Sequence, residues 1–212
     1  MLTVDQFARC TGASLSRASG RYEPYRAAMA FYAISESRPR MAMFLANVGH
    51  ECEGFRWPAE IWGPTAQQRR YERDFSAAWP PTAADQTNRL AHNLGNHTKG
   101  DGALFKGHGD IQTTGRYNHA AVTKRLRALF PTLDVPDFEV ESERLSEPQW
   151  AALSAADYID MKKCNAQADA GNFDGYCDLI NRGKVTAAEG DSNGYADRLI
   201  RLHANYAVLG LQ

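Results

Sequence analysis

Apolar residues recur along the chain mainly at the three- and four-residue spacing of amphipathic helices. Alternation of β-branched and polar residues, which is typical of strands, is hard to find over five or more positions. The pattern therefore predicts a mostly α-helical fold, with helices at 4–10, 15–34, 40–52, 66–77, 83–94, 117–129, 147–163, 172–181 and 194–209. Thr3, Ser14, Thr65 and Ser146 precede four of these segments and are suited to cap them.

Two segments interrupt this pattern. Residues 95–115 contain six glycines and predict an irregular loop with room for a short hairpin. Residues 129–140, which include Pro131 and Pro136, are predicted to form a surface connection. Because no internal repeat, low-complexity tract or Pro/Ser-rich linker divides the chain, residues 1–212 are predicted to form a single domain.

Composition limits the possible partners and compartments. The 24 Lys and Arg residues nearly balance the 25 Asp and Glu residues, so we expect no binding to nucleic acid. No apolar stretch approaches the roughly 20 residues that span a bilayer, and no secretory signal begins the chain. We therefore expect a chain made in the cytoplasm, with no integral membrane segment. The four cysteines are predicted to be buried free thiols, and a bridge between Cys164 and Cys177 is the alternative.

The helix predicted at 40–52 carries a candidate acid at its C-terminal end. Its apolar positions share one face and anchor it in the core: Met41, Phe44, Leu45 and Val48. The negative end of the helix dipole and partial burial together favour the protonated form of Glu51, which a general acid requires. A solvated glutamate at a helix end is the alternative that these residues leave open.

A second glutamate, Glu60, follows nine residues later, after an aromatic segment too broken to continue the helix. Glycosidases use a pair of carboxyl groups about 5 Å apart in retaining enzymes and about 6.5 to 9.5 Å apart in inverting enzymes. Glu51 and Glu60 are candidates for such a pair. Trp57 and Trp62 flank Glu60 and could stack on sugar rings, and core packing is the alternative for at least one of them.

Four ordered blocks of residues extend this pattern along the chain. The first is Asn47-Val48-Gly49-His50-Glu51 with Gly54-Phe55, and the second is Glu60-Ile61-Trp62-Gly63-Pro64-Thr65 with Gln68 and Tyr71-Glu72. The third is Leu94-Gly95-Asn96, Gly100-Asp101-Gly102, Ile111-Gln112 and Thr114-Gly115. The fourth includes Cys164-Asn165, Ile180-Asn181-Arg182-Gly183 and Asp197-Arg198. Together these blocks resemble bacterial and phage members of glycoside hydrolase family 19.

The resemblance implies a lysozyme-like, two-lobed helical fold with a catalytic cleft between the lobes and an inverting mechanism. It assigns Glu51 as the general acid, Glu60 as the general base and Thr114 as the residue whose hydroxyl holds the attacking water. The positions that it assigns to substrate binding are His50, Gln112, Tyr117, Asn118, Asn181 and Arg198. Arg198 is expected to lie near the carboxylates and to keep the base ionised, and a purely structural ion pair is the alternative. The mechanism needs no cofactor and no metal ion.

The sequence departs from the family pattern at several positions. Lys106-Gly107-His108-Gly109 replaces the usual Arg-Gly-Arg-Gly, Asp110 replaces an apolar residue, and Arg182 replaces a glycine. We expect Asp110 to add a negative charge near the site and Arg182 to fill space. Extra sequence between Glu72 and Leu94, compared with the short form of the family, is expected to cap the groove or to contact a partner.

The favoured function is hydrolysis of the β-1,4 bonds of peptidoglycan by an endolysin of the lysozyme type, acting as a monomer without a separate wall-binding module. The enzyme would reach the periplasm and cell wall through a holin-type membrane lesion. A chitinase acting on N-acetylglucosamine polymers is the alternative within this chemistry. A non-catalytic wall-binding protein and a zinc amidase are alternatives outside it. The zinc site would draw on His50, His92, His97 and His108, but their spacing lacks a helical ligand pair.

Overall fold

The structure, a computed structural model, describes residues 2–211. Within this range the chain forms helices joined by turns, with isolated bridges but no strand. The α-helices are α1 (Val4–Thr11), α2 (Leu15–Phe31), α3 (Arg38–Glu51), α4 (Ala66–Arg69), α5 (Arg89–Leu94), α6 (Asp101–Leu104), α7 (Arg116–Leu129), α8 (Pro148–Met161), α9 (Cys164–Asp169), α10 (Phe173–Asn181) and α11 (Tyr195–Leu209). Short 3-10 helices span Ile34–Glu36 and Ser142–Ser146. The prediction of a mostly helical fold is confirmed.

The chain divides into two compact units. Within the described residues, unit 1 comprises 2–56 and 152–211, and unit 2 comprises 57–151. The chain leaves unit 1 shortly after Glu51 and returns to it inside α8. The expectation of a single catalytic domain without a wall-binding module therefore stays a prediction.

Unit 1 is organised around α3, whose residues from Ala42 to Gly49 are all buried. This helix packs against α1, α9, α10 and α11. A Cβ atom on Gly49 would lie 2.4 Å from the carbonyl oxygen of Thr11, so only glycine allows α1 to approach this closely. Asn205 of α11 donates a hydrogen bond to the carbonyl of Ala42 at 2.9 Å. The end of α3 is therefore fixed in a dense core.

The turn that follows α3 is tied to the same core. Glu53, Gly54 and Phe55 have positive φ angles of 46°, 61° and 61°, a conformation that two of the three side chains disfavour. Phe55 compensates by burying its ring, with its centroid 5.6 Å from Phe7 and 5.3 Å from Tyr25. The chain thus leaves Glu51 along a defined path.

Unit 2 contains shorter helices, and the predictions for its first half are wrong in extent. Helix α4 ends at Arg69 and α5 begins at Arg89, whereas the sequence predicted 66–77 and 83–94. Asn88 accepts a hydrogen bond from Asp74 N–H at 2.7 Å and donates to its carbonyl at 2.9 Å. Asp85 accepts from the N–H groups of Ala78 and Thr87. These side chains form hydrogen bonds with backbone groups that would otherwise bond to one another within a longer helix.

Other predicted boundaries hold more closely. Thr3 and Thr65 form complete capping boxes, and Ser14 caps α2 as expected. Ser146 lies at the end of the second 3-10 helix, and its hydroxyl donates to the carbonyl of Pro58 at 2.8 Å, next to the segment that carries Glu60. Its predicted capping of α8 stays a prediction. Helices α6 and α9, of four and six residues, were not predicted. The connection after α7 is irregular as predicted, although Val135 and Phe138 within it are buried.

The four cysteines are buried free thiols, as predicted, and the Cys164 to Cys177 bridge is not formed. Burial raises the pKa of Cys10, Cys164 and Cys177 to about 12 each. These thiols are therefore protonated and unreactive near neutral pH. Among residues 2–211, no helix combines the length and the apolar character needed to cross a membrane.

Candidate active site

Glu51, the last residue of α3, contacts the guanidinium of Arg198 in α11. Nη2 of Arg198 donates to Oε1 of Glu51, and Nη1 donates to Oδ1 of Asn47 at 2.7 Å. Nε donates to the carbonyl oxygen of Asn193 at 3.1 Å. The side chain of Arg198 is 1% exposed, whereas that of Glu51 is 23% exposed. The arginine is thus fixed on three sides, and it holds one oxygen of the glutamate.

Asn47 lies one turn before Glu51 and completes this arrangement. Its amide group donates to the carbonyl of Met43 at 2.9 Å and its oxygen accepts from Arg198. Asn47 was not among the predicted site residues. Its position four residues before Glu51 on α3 is the signal that could have found it, because residues at this spacing share a helix face.

His50 lies beside Glu51, and Asp197 holds it. Nδ1 of His50 is 2.7 Å from Oδ2 of Asp197, which also accepts from Nε of Arg201 at 2.7 Å. Burial alone would raise the pKa of Asp197, but the hydrogen bonds from His50 and Arg201 outweigh it and lower the pKa. A Cβ atom on Gly194 would lie 2.2 Å from the His50 ring. The ring therefore packs directly on a glycine backbone and is held in one orientation.

Asn181 belongs to the same group of contacts in unit 1. Its side-chain oxygen accepts a hydrogen bond from the N–H of Asn193 at 3.1 Å. Asn193 in turn accepts from Arg198 through its carbonyl. The structure therefore brings together four predicted site residues within unit 1: His50, Glu51, Asn181 and Arg198.

Glu60 is built into unit 2 by the glycine-rich loop. Its N–H donates to the carbonyl of Gly107 at 2.7 Å, and the N–H of Gly107 donates back to its Oε2 at 3.1 Å. Ala59 pairs with His108 in an antiparallel bridge, and His108 pairs with Thr113 in the same way. In place of the short hairpin for which the sequence left room, the loop forms isolated bridges, and the bridge between Ala59 and His108 lies beside Glu60.

Gln68 holds the other oxygen of Glu60. Its amide nitrogen donates to Oε1 of Glu60 at 2.9 Å and to the carbonyl of Ile61 at 2.8 Å. The same side chain accepts from the N–H of Thr65 in the capping box of α4. Gln68 is 5% exposed. The side chain that completes the cap of α4 thus also positions Glu60, a role that was not predicted for Gln68.

Gln112, Thr114 and Asn118 follow one another along the same loop. Gln112 donates to the carbonyl of Gly109 at 2.9 Å, and its side-chain oxygen lies 2.6 Å from the position of a Cβ on Gly107. The Thr114 hydroxyl donates to the carbonyl of Gln112 at 3.0 Å, and Asn118 donates to the carbonyl of Thr114 at 2.7 Å. Glu60 and Gln112 therefore both contact Gly107, and Thr114 is attached to Gln112.

Two clusters of polar side chains lie within and beside this loop. Asp101 accepts from Arg116 at 2.6 Å, and the guanidinium of Arg116 lies 4.5 Å above the Phe105 ring. His108 and His119 are buried with Nδ1 and Nε2 3.1 Å apart. Burial, then the charges of neighbouring basic groups, lowers the pKa of His108 to about 3, and burial lowers that of His119 to about 4. Both imidazoles are therefore neutral, and one can donate to the other.

Tyr117 differs from the other predicted substrate contacts. It is 60% exposed, and its ring lies against Gly95, where a Cβ would come within 2.3 Å. No hydrogen bond of its hydroxyl to another described residue is seen. Its predicted contact with substrate stays a prediction.

The comparisons with known proteins bear on this arrangement. No protein-family model matches the chain. A glycosyl hydrolase family 19 domain-containing protein of Haemophilus influenzae is 30% identical over 162 residues, which cover 71% of this chain and 81% of the relative. The chain belongs to glycoside hydrolase family 19. It is therefore a glycoside hydrolase.

Solved structures agree with this family 19 membership at the level of the fold. Chitinase C from Streptomyces griseus HUT6037 has a TM-score of 0.65 and 17% identity, with 99% of this chain and 93% of that chain covered. A mutant of chitinase C has a TM-score of 0.64 and 16% identity, with 99% of this chain and 77% of that chain covered. The predicted lysozyme-like helical fold of family 19 is confirmed.

The residues that depart from the family 19 pattern lie in different surroundings. His108 and Asp110 are both buried within the loop, at 1% and 0% exposure. Arg182 is exposed and forms an ion pair with Asp191 at 3.3 Å. In the extra sequence, Arg73 lies 4.6 Å from the ring centres of both Phe75 and Trp79. The guanidinium of Arg73 thus lies over two aromatic rings of the inserted segment, one of which, Phe75, is exposed. The expected role of this segment in capping the groove or contacting a partner stays a prediction.

The histidines considered for a zinc site have other neighbours. His50 contacts Asp197, His108 contacts His119, and the ring of His92 packs edge-on against Trp79. Across residues 2–211, no group of three or more His, Cys, Asp and Glu side chains is arranged to hold a metal ion. The hydrolysis expected of a family 19 enzyme uses two carboxyl groups and needs no metal ion.

Proposed function

We propose that this family 19 enzyme is a peptidoglycan hydrolase that cleaves β-1,4 glycosidic bonds with inversion. The observation that carries the proposal is that both glutamates are held by largely buried donors at defined oxygen atoms. Arg198 holds Oε1 of Glu51, while Gln68 and the Gly107 N–H hold the two oxygens of Glu60. Fixed carboxyl groups are what acid and base catalysis at a glycosidic bond require.

Glu51 is proposed as the general acid. Because Arg198 occupies Oε1, Oε2 is the atom that would carry the proton to the leaving glycosidic oxygen. The bond between the anomeric carbon and that oxygen breaks as the proton arrives. Arg198 remains beside the carboxylate that is left behind, and it stabilises the negative charge that develops on Glu51.

Glu60 is proposed as the general base. Its donors are neutral, and each carboxylate oxygen has a second lone pair that can accept a proton from water. The water oxygen would bond to the anomeric carbon on the face opposite the leaving group, which inverts the configuration. Thr114 is proposed to orient this water, because its hydroxyl donates to the carbonyl of Gln112 and keeps its lone pairs available as acceptors.

Peptidoglycan is proposed as the substrate because the second motif block, Glu60 to Thr65, resembles that of phage lysis enzymes. Chitin is the second candidate, because the two solved structures with this fold are named chitinase C. We also propose synthesis in a bacterial cytoplasm and release to the wall through a holin-type lesion, as a phage endolysin. We also predict that the enzyme is a monomer and does not bind nucleic acid. Light scattering and a DNA-binding assay would check these two predictions.

The deciding experiment is incubation with purified sacculi and, separately, with chitin oligomers, followed by mass spectrometry of the products. A new reducing N-acetylmuramic acid identifies a muramidase, and a new reducing N-acetylglucosamine identifies a glucosaminidase. Products from chitin alone would refute the peptidoglycan proposal. Proton NMR of the first-formed anomer tests inversion, and retention would refute Glu60 as a base.

A further inference from the structure

Three lysines lie where the end of α8 approaches the segment after α10. Lys162 and Lys163 follow α8, and Lys184 follows Gly183. A Cβ atom on Gly183 would lie 3.3 Å from Nζ of Lys162, and the same Nζ is 5.4 Å from the ring centre of Tyr158. The ammonium group of Lys162 therefore lies against the backbone just before Lys184. We call Lys162, Lys163 and Lys184 the lysine cluster.

The lysine cluster lacks salt-bridge partners in the part of the chain that the structure describes. Within residues 2–211, none of the three lysines forms an ion pair, whereas the nearby Arg182 is paired with Asp191. Asp160 precedes the cluster, and its carbonyl accepts from the N–H of Lys163 at 2.8 Å. Ammonium groups without an acidic partner are available to an anionic ligand, which would stabilise this surface.

The lysine cluster is continuous with the surroundings of Glu51 within unit 1. Arg198 contacts both Glu51 and the carbonyl of Asn193, and the N–H of Asn193 donates to Asn181. Asn181 directly precedes Arg182 and Gly183 in the chain.

Tyr158 provides a second connection. Its hydroxyl donates to the carbonyl of Ile180 at 3.1 Å, and its ring lies below Lys162. Burial raises the pKa of Tyr158, and the negative charges that Cys164 and Glu51 carry when ionised raise it further. Tyr158 therefore connects Lys162 with Ile180, the residue that precedes Asn181.

We propose that the lysine cluster binds the free carboxylates of the peptides attached to the glycan strand. This inference rests on the proposed peptidoglycan hydrolase function and adds a determinant that distinguishes peptidoglycan from chitin. Chitin carries no carboxylate, whereas the stem peptides of peptidoglycan carry several. Lysine ammonium groups on flexible stems suit carboxylates that occupy many orientations on a mobile peptide.

The test uses binding to sacculi by a catalytically silent chain that carries Glu51→Gln. One sample of sacculi keeps its stem peptides, and the other has had them removed by an amidase. The double substitution Lys162→Gln with Lys184→Gln is expected to weaken binding to the intact sacculi about three- to tenfold, the range expected for two exposed ion pairs. It should leave binding to peptide-free sacculi unchanged. Salt should weaken the lysine-dependent part, since the Debye length falls to about 3 Å at 1 M.

Lys124→Gln on α7 is the matched control, because it removes an exposed lysine of unit 2 and should change neither binding curve. Equal weakening on both kinds of sacculi, or no weakening on either, would overturn the inference. Since the assay needs no hydrolysis, its outcome is separate from that of the proposed function. A wild-type chain that fails to cleave sacculi refutes the proposed function even if the lysine effect is present.

Discussion

The guanidinium of Arg198 reaches the carboxylate of Glu51 from an almost completely buried position. The two residues are 147 positions apart in the chain, and Asn47 and Asn193 fix the arginine independently of the glutamate. The position of the Arg198 guanidinium therefore does not depend on its contact with Glu51. This relationship makes the contribution of Glu51 to chemistry separable from its contribution to stability.

Glu51→Gln is expected to abolish hydrolysis of sacculi and to leave the melting temperature nearly unchanged. The amide oxygen of glutamine can still accept the hydrogen bond from Arg198, but the amide cannot deliver a proton. General acid catalysis provides about 10²- to 10⁴-fold, so less than about a tenth of the wild-type rate should remain. Turbidity loss of permeabilised cells and a thermal melt measure the two effects. A substrate with an aryl leaving group, which needs no acid, should recover part of the rate.

Glu143→Gln is the control for this experiment, because Glu143 is an exposed residue of unit 2. It should behave as wild type in both assays. A Glu51→Gln chain that keeps more than about a tenth of the activity on sacculi would show that Glu51 is not the acid.

Gln68→Met should lower kcat because Glu60 loses the donor to its Oε1. Thr65→Ala is the matched comparison, since it removes half of the capping box and leaves the Gln68 amide on Glu60. Both substitutions should lower the free energy of unfolding by about 1 kcal/mol through the helix cap. Only Gln68→Met should also lower kcat of the folded enzyme. Equal kcat values in the two variants would contradict a positioning role for Gln68.

Thr114→Val should lower kcat much more than it raises KM, the pattern of an interaction that matters mainly in the transition state. The substitution keeps the shape of the side chain and removes the hydroxyl that bonds to the carbonyl of Gln112. Thr113→Val should be nearly silent, because the bridge to His108 uses only the backbone of Thr113. A lower melting temperature with unchanged kcat would mean that Thr114 only stabilises the loop.

The free energy of unfolding should fall as the pH is lowered from about 6.5 towards 4. Burial lowers the pKa of His108 to about 3 and that of His119 to about 4, whereas both titrate near 6.5 when the chain is unfolded. In this window the unfolded chain binds more protons than the folded chain, so acid favours unfolding. His119→Gln should flatten the dependence of melting temperature on pH, and the exposed His203→Gln should not. An unchanged slope in His119→Gln would show that the pair is not responsible.

The sequence predicted features whose physical cause lies within a few residues. The capping boxes at Thr3 and Thr65 and the long apolar face of α3 are local patterns, and the helices they mark are present. The hold of Arg198 on Asn47 was not predictable from spacing, because 151 residues separate them and only the packing of α11 on α3 brings them together. The early end of α4 depends in the same way on a distant residue, Asn88, whose side chain forms hydrogen bonds with the backbone N–H and carbonyl of Asp74.

The position of unit 2 within the chain has a consequence for synthesis on the ribosome. Glu51 and Asn47 are translated before unit 2, whereas Arg198 and Asn193 are translated after it. A nascent chain that has completed unit 2 therefore still lacks the cation beside Glu51. The contacts that Arg198 makes with Glu51 and Asn47 can therefore form only after the ribosome has passed through α11, so this part of unit 1 is completed later than all of unit 2.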